Sequence, residues 1–260
     1  MSLLPKPEAV LRSIEAELAS RGLTLRAPTL DDLPALGRLE SEAFAGRRQD
    51  RWTDDLTLLR LVEYGNSVVL HDASGEILGY HLVLITSRGK ERTAVSLYVA
   101  IRCNAKGLDL GRRIYHHSIS RAMLAGATVL RGTVAPNNFP SLALLLNKVG
   151  SVCDHFHPAL GVSRIHRFRF RRELSDRSPI SSPIDQGKLV ELARNSRAGV
   201  DYQLMDPDDP EAIARTYAET EMRVMAVVKP GLLAEGTVLF ALPRRAFATL
   251  RPQLERGDPW

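Results

Sequence analysis

The sequence has 260 residues, of which 44% are hydrophobic and 25% charged, as in an ordinary globular protein. This length allows one large domain, or a domain with an appendage, to bury a hydrophobic core. The formal charge of +5 and the pI near 9.4 fit an anionic ligand without requiring one. The sequence contains no internal repeat and no apolar run of the ~20 residues that a membrane span needs, so we expect no membrane partner.

The cysteine content predicts a reducing environment. Cys103 and Cys153 lie far apart in a chain without a signal-peptide pattern, so we expect a cytoplasmic location. Cys153, His155 and His157 alternate along a predicted strand and would share one face of it. Thiolate and imidazole suit zinc, but a single strand rarely supplies three ligands with good geometry. We therefore predict no metal site.

The pattern of the first ninety residues predicts three helices and three strands. Apolar spacing predicts a helix within residues 1–21, and a second helix that starts near Asp31 and Asp32 and carries leucines on one face. Residues 54–63 predict a third helix. Residues 23–26 predict a short strand, and residues 67–70 and 77–85 a hairpin with a turn ending at Gly75. A polar loop between the helices contains Arg47, Arg48, Asp50, Arg51 and Trp52.

The segment from residue 92 to residue 150 carries the most functional information. Residues 94–101 and 128–134 are rich in β-branched and aliphatic side chains, which is typical of buried strands. Between them, spacing predicts a helix that ends at Gly126. The loop at residues 104–111 contains glycines, and Arg112 and Arg113 follow it at the helix start. Glycines allow close backbone approach and a helix N-terminus attracts anions, so the residues alone point to phosphate or to an ordinary turn.

The remainder predicts two strands, near residues 152–157 and 163–170, then a break rich in Ser and Pro at residues 175–183. Beyond it we expect helices at residues 188–195, from Asp209 through Val224, and at residues 243–254, with a short strand at residues 238–242. On the second strand, an arginine series indicates either a solvated edge or a track for nucleic-acid phosphates. The residues in this series are Arg164, Arg167, Arg169 and Arg171.

After the second central strand comes Asn138-Phe-Pro-Ser141, then a Leu-rich helix that closes with Lys148-Val-Gly150. This order, over roughly residues 23–172, resembles the Gcn5-related N-acetyltransferase superfamily. The resemblance implies an α/β (α+β) fold with a mixed, largely antiparallel central sheet flanked by helices, here with an N-terminal helix and a helical C-terminal extension. The corresponding domains are residues 1–22, 23–174 and 175–260. The segment from Ser141 to Gly150 is one residue longer than the usual pattern.

The resemblance implies a binding site for acetyl-coenzyme A or another acyl-coenzyme A. The pyrophosphate loop corresponds to residues 106–111 or to residues 104–109, and in either register Asp109 replaces a small residue. The family places the acyl carbonyl against a backbone N–H, here near Val99 and Ala100. The residues implied at the donor are Val99, Ala100, Ile101, Lys106, Gly107, Leu108, Asp109, Leu110, Gly111, Arg112, Arg113, Asn138 and Ser141.

The implied reaction is attack of an amine on an activated acyl carbonyl, in which the protein positions the reactants and stabilises the oxyanion. Four side chains on the central strands are candidate catalytic groups: Tyr80, His81, Ser96 and Tyr98. His116 and His117, one turn into the helix, are expected to contact phosphate or solvent. The Tyr that often protonates the leaving thiolate in this family is absent, because Leu145 and Leu146 occupy the matching positions.

Three functions remain open at this stage. The first is an N-acyltransferase that uses acyl-coenzyme A and acts on an amine of a small molecule or peptide. The second is transfer from aminoacyl-tRNA, favoured by the altered loop, the missing Tyr and the arginine series; an ester donor releases a hydroxyl and needs no thiolate acid. The third is a non-catalytic binding or scaffold module. The sequence leaves the oligomeric state open, including a homodimer.

Overall fold

The computed structural model describes residues 6–44, 55–105, 109–157, 166–174, 182–194 and 201–255. The described strands form two sheets. The order in the seven-stranded sheet is Leu23–Arg26, Val68–Asp72, Ile77–Arg88, Glu91–Ile101, Val129–Val134, Arg167–Glu173 and Val152–His157, and the order in the three-stranded sheet is Gln203–Met205, Val238–Pro243 and Met222–Val228. The chain divides into two compact units, residues 1–131 with 173–179, and residues 132–172 with 180–260. The predicted domain boundaries stay predictions. Within the described ranges, no helix is long and apolar enough to cross a bilayer.

The first unit contains four helices and the first strands of the larger sheet. They are α1 (Pro7–Ala19), β1 (Leu23–Arg26), α2 (Leu33–Phe44), α3 (Asp55–Tyr64), β2 (Val68–Asp72), β3 (Ile77–Arg88), β4 (Glu91–Ile101) and α4 (Leu110–Leu124). Strands β1 to β4 pair consecutively and antiparallel. Gly126 follows α4 with a φ of 83°, the left-handed conformation that favours glycine after a helix.

Two hydrophobic layers cover the sheet of the first unit. On one face, Leu36 and Leu39 of α2 pack with Tyr80 and Leu82 of β3. His81, whose side chain points to the opposite face, stacks on Tyr115 of α4, so α4 covers that face. Helix α1 packs against α4, and its buried face is formed by Val10, Ile14 and Leu18 at helical spacing. The helix predicted at the N-terminus is therefore an integral layer of this unit.

The second unit begins within β5 and ends with its own small sheet. Its elements are β5 (Val129–Val134), α5 (Phe139–Leu142), a π-helix (Ala143–Lys148), β6 (Val152–His157), β7 (Arg167–Glu173), α6 (Gln186–Arg194), β8 (Gln203–Met205), α7 (Pro210–Glu219), β9 (Met222–Val228), β10 (Val238–Pro243) and α8 (Arg244–Leu254). Strands β6 and β7 are antiparallel, and β10 pairs antiparallel with both β8 and β9. Phe240 and Leu242 of β10 form a core with Leu189 of α6 and Leu254 of α8.

The predicted fold class is confirmed. From β1 to β7 the elements follow the predicted order of strand, two helices, three strands, helix, strand, helix and two strands. One prediction in the C-terminal extension was wrong: Val224 lies in β9 and does not continue α7. The helix ends at Thr220, which has extended backbone angles, and the following Met-Arg-Val-Met-Ala-Val-Val run suits a buried strand.

The π-helix accounts for the extra residue between Ser141 and Gly150. A π-helix closes its hydrogen bonds over five residues instead of four, so it absorbs one inserted residue without shifting the flanking segments. Leu145 and Leu146 remain buried within it. The Leu-rich helix that the sequence predicts is therefore a short α-turn followed by a π-helix.

Candidate functional site

A β-bulge interrupts strand β4 in the middle of the candidate site. Leu82 pairs with Tyr98, whereas Val83 pairs with Ser96, so Leu97 is an extra residue without a partner on β3. Leu97 is also one of the few large hydrophobic side chains exposed on the described surface. Bulges leave a residue of the ladder unpaired and re-aim the neighbouring side chains, and they are frequent beside active sites.

The bulge lies earlier in β4 than the predicted acyl-binding position. Val99 and Ala100 remain in antiparallel register with His81 and Tyr80, and Ile101 with Gly79. Gly79 has a tight environment, because a Cβ there would come within 2.5 Å of the Ile101 side chain. The end of β4 is thus fixed closely against β3.

Tyr80 and Tyr98 lie on the face of the sheet that α2 covers. Both belong to the hydrophobic layer of α2 and α3, with Tyr80 fully buried and Tyr98 half-buried. Burial raises the pKa of Tyr80 well above its usual range, and the negative charge of Glu40 and the neighbouring Tyr98 phenol raise it further. Tyr80 therefore stays protonated at neutral pH, and Glu40 is a buried carboxylate whose charge acts on Tyr80.

Sequence reasoning missed Glu40, although a signal was present. Glu40 follows Leu36 by four residues and Leu33 by seven, so helical spacing places it on the apolar face of α2. Its exposed fraction is only 3%. An acidic residue on an otherwise apolar stripe carries a desolvation cost and is a candidate functional group for that reason.

His81 and Ser96 lie on the opposite face, under α4. His81 Nε2 is 2.8 Å from Ser96 Oγ, which is in turn 2.8 Å from the Tyr115 hydroxyl. Complete burial lowers the pKa of His81 to about 3 and raises that of Tyr115 to about 12, with the Ser96 hydrogen bond opposing the latter shift. This buried chain is therefore neutral at physiological pH. The structure thus divides the four candidate catalytic residues between two faces of the sheet.

The two arginines at the start of α4 are each paired with a carboxylate. Asp109 precedes the helix in the left-handed region, with a φ of 57°, and its carboxylate lies 2.8 Å from Nε of Arg112. Arg113 forms an ion pair with Glu17 of α1 at 3.0 Å. Leu110 is buried and Gly111 half-buried at the first turn. The predicted phosphate-loop residues Lys106, Gly107 and Leu108 lie outside the described residues.

His116 and His117 are buried, so the expected exposure of this histidine pair was wrong. Their exposed fractions are 1% and 3%, and α1 packs against the helix that carries them. His117 Nε2 lies 3.1 Å from a carboxylate oxygen of Glu15 on α1. Burial lowers the pKa of His117, while Glu15 opposes that shift. The N-terminal helix thus meets its neighbour through polar as well as apolar contacts.

Two predicted donor-site residues belong to the second unit. Asn138 caps the short helix α5, and its side-chain oxygen accepts a hydrogen bond from the Ser141 N–H at 3.4 Å. This is the arrangement that an Asn-x-x-Ser sequence produces at a helix start.

The arginine series of β7 is partly neutralised. Arg167, Arg169 and Arg171 share one half-buried face, as predicted, but the guanidinium of Arg169 makes two bonds to the Asp154 carboxylate at 3.0 and 3.1 Å. Arg164 and the loop containing Arg47, Arg48, Asp50, Arg51 and Trp52 lie outside the described residues. A bidentate pair satisfies the donors that a nucleic-acid phosphate would use.

The Cys153, His155 and His157 trio does not share one strand face, so that prediction was wrong. A register shift between Cys153 and His155 makes Asp154 an extra residue, which leaves Cys153 buried and both histidines exposed. Burial raises the pKa of the Cys153 thiol well above its usual range, and Asp154 raises it further. Among the described residues, no group of three His, Cys, Asp or Glu side chains is arranged to hold a metal ion.

No family model matches the sequence, and no curated protein matches it either. Solved structures are similar to it. The structure of yncA, a putative acetyltransferase from Salmonella typhimurium with acetyl-CoA, is 20% identical over 60% of this chain and 95% of that chain, with a TM-score of 0.49. A GCN5-related N-acetyltransferase from Kribbella flavida is 19% identical over 59% and 99% of the two chains, with a TM-score of 0.48. The ribosomal-protein-S18-alanine N-acetyltransferase from Escherichia coli is 17% identical over 59% and 94%, with a TM-score of 0.45. Each is a similarity of fold, and none assigns an activity to this chain.

Proposed function

We propose that this protein is an N-acyltransferase that transfers an acetyl or other acyl group from acyl-coenzyme A to an amine of a small molecule or peptide. The observation that carries this proposal is the bulge at Leu97, which interrupts β4 directly beside Tyr98. The strand then ends and leads through a loop to the first turn of α4. An irregular strand that precedes a loop and a helix N-terminus is the arrangement that the sequence resemblance implies for the acyl donor.

The proposed reaction forms one bond and breaks one. The amine nitrogen attacks the thioester carbonyl carbon, the C–N amide bond forms, and the C–S bond breaks. The amine loses one proton to a base, and the departing thiolate takes one proton from solvent, because no Tyr occupies positions 145 or 146. The chain contributes mainly by positioning the two reactants and by offering backbone donors to the oxyanion.

The acceptor amine is assigned to the α2 face of the sheet. Tyr98 is half-buried there and offers a hydroxyl for hydrogen bonding, while Tyr80 stays protonated behind it. Glu40 is assigned as the proton acceptor, because its negative charge acts on the Tyr80 phenol and it lies on a helix that packs against the bulged strand. A buried carboxylate also favours an acceptor that arrives as an ammonium ion.

The donor site is assigned to the end of β4 and the start of α4. Val99, Ala100 and Ile101 are the backbone positions next to the acyl group, and the loop through Gly111 with Arg112 and Arg113 is the phosphate end. Asn138 and Ser141, in the second unit, stay predictions that rest on the sequence motif. A bound donor supplies the activated acyl carbonyl.

The test is calorimetric titration of the full chain with acetyl-coenzyme A, followed by a thiol-release assay with a panel of primary amines. Saturable binding with amine-dependent release of thiol in a one-to-one ratio with amide product is the expected result. Titration of bulk tRNA at two salt concentrations runs in parallel, with Arg167→Ala/Arg169→Ala as the variant. If acetyl-coenzyme A fails to bind and tRNA binds in a salt-sensitive way, the donor assignment is wrong. Binding of acetyl-coenzyme A without transfer to any amine would indicate a non-catalytic module.

A further inference from the structure

Asp109 occupies an unusual position for an acidic residue. It is the only described non-glycine residue with a positive φ, and it immediately precedes α4. Its side chain makes no capping hydrogen bond to the helix. A left-handed residue at such a turn is normally Gly or Asn, so the carboxylate is not required by the backbone.

The carboxylate instead compensates the charge that would attract phosphate. Asp109 Oδ2 lies 2.8 Å from Nε of Arg112, whose side chain is only 5% exposed. Within the first turn of α4, Arg112 is thus paired with a carboxylate of the protein itself, that of Asp109. A helix N-terminus favours one nearby negative charge, and Asp109 already supplies it.

The second arginine of this turn is compensated in the same way. Arg113 pairs with Glu17 of α1 at 3.0 Å, and its side chain is 12% exposed. The start of α4 therefore presents two arginines with two carboxylates. A diphosphate brought to this turn would displace or repel at least one of these carboxylates, since like charges in a partly desolvated site disfavour each other.

We propose that Asp109 determines donor specificity by weakening the hold on the coenzyme A diphosphate, so that the donor is bound mainly through its pantetheine arm and thioester. This inference rests on the proposed function and names its substrate class: acyl thioesters of pantetheine, with little dependence on the diphosphate. Asp109→Asn suits the test, because Asn tolerates the left-handed conformation and matches Asp in shape while removing the charge. It also removes the carboxylate that lies 2.8 Å from Nε of Arg112.

The experiment measures kcat/KM for acetyl-coenzyme A and for S-acetyl-pantetheine with the full chain. We expect the wild type to prefer acetyl-coenzyme A by no more than about tenfold. Asp109→Asn should raise kcat/KM for acetyl-coenzyme A by about tenfold or more, through KM, because it removes a negative charge that opposes a diphosphate at a helix N-terminus. The value for S-acetyl-pantetheine should change by less than about twofold.

Two further variants complete the design. Asp109→Gly, which also suits a positive φ, should give the same result if the charge is responsible. Asp31→Asn removes an exposed carboxylate at another helix start of the same unit and should leave both substrates unaffected, which controls for net charge. A strong wild-type preference for acetyl-coenzyme A that Asp109→Asn and Asp109→Gly fail to increase would overturn the inference alone. If neither thioester binds or reacts, the proposed function fails together with it.

Discussion

The side chain of Asn147 bonds to both backbone groups of Val227. Its amide donates to the Val227 carbonyl oxygen at 2.8 Å, and its oxygen accepts from the Val227 N–H at 2.9 Å. Val227 lies on β9, an edge of the three-stranded sheet, and Asn147 lies at the end of the π-helix. The Asn147 amide therefore pairs with the β9 backbone as a residue of a neighbouring strand would. It occupies hydrogen-bonding groups of an edge strand that could otherwise pair with another strand.

Asn147→Ala should destabilise the protein by about 1–3 kcal/mol, because it removes the hydrogen-bond acceptor of the buried Val227 N–H and leaves the Val227 carbonyl oxygen with the Gln186 amide at 3.2 Å. Urea unfolding followed by circular dichroism measures the change. Gln253→Ala, which removes an exposed amide from α8 in the same unit, is the matched control and should stay within about 0.5 kcal/mol of the wild type. Equal effects of the two substitutions would contradict the bridging role of Asn147.

Tyr217 makes a second bridge in the same unit. Its hydroxyl donates to the Cys153 carbonyl oxygen of β6 at 2.9 Å and accepts from the Val224 N–H of β9 at 3.0 Å. Tyr217→Phe removes both bonds but keeps the ring on which Arg223 stacks at 4.9 Å. We expect a loss of about 1–3 kcal/mol in the free energy of unfolding. Tyr202→Phe, which breaks a single bond to the Ala193 carbonyl, should cost less in the same titration.

His81, one of three buried histidines described in the first unit, makes the fold sensitive to acid. Burial lowers the pKa of His81 from 6.5 to about 3, so the unfolded chain binds a proton at pH values where the folded chain does not. The stabilising contribution is present above pH 6.5 and is lost as the pH falls toward 3, by up to about 5 kcal/mol. His81→Gln keeps a hydrogen-bonding group for Ser96 without a charge and should flatten this dependence between pH 4 and 7.

The measurement is urea unfolding of the wild type and the variant at several pH values, compared as a difference because other groups also titrate. His155→Gln, at an exposed position of β6, serves as the control. A wild-type slope retained in His81→Gln would show that the acid sensitivity arises from another group.

Replacement of Glu40 tests its assignment as the proton acceptor. Glu40→Gln should lower kcat/KM near neutral pH by about 100-fold or more, and the deficit should shrink as the pH rises and the amine loses its proton unaided. The affinity for acetyl-coenzyme A should stay the same. Glu42→Gln, on the exposed side of the same helix, should remain active. An unchanged pH–rate profile in Glu40→Gln would remove this residue from the reaction.

Much of the fold was predictable from local pattern. Val10, Ile14 and Leu18 recur at helical spacing, and Gly126 marks the end of α4. The existence and order of these elements therefore follow from the spacing of apolar residues and from residues that terminate helices. The strand β9 was missed because its seven residues, six of them apolar, carry no alternation, and such a run fits a buried strand or a helix equally well.

The candidate site was predictable only in part, because its geometry depends on pairing between distant strands. The sequence named Tyr80, His81, Ser96 and Tyr98 together, since alternation along a strand does not reveal a bulge. The extra residue at Leu97 appears only when β4 is placed in register with β3. Glu40 could have been noticed as a charge on an apolar stripe, but its closeness to Tyr80 depends on how α2 packs.

The sequence by itself determined the order of helices and strands as far as β7, the Gly-containing loop before α4 and the acidic residue within that loop, because each of these depends on neighbouring residues. Only the tertiary structure decided that His116 and His117 are buried, that Asp109 and Glu17 compensate the arginines of α4, and that Asn147 pairs with the edge strand β9. These contacts join separate helices and strands. Periodicity predicts each helix or strand by itself, but not the contacts between them. Their energies come from desolvation and hydrogen bonding, which depend on what the folded chain places around each group.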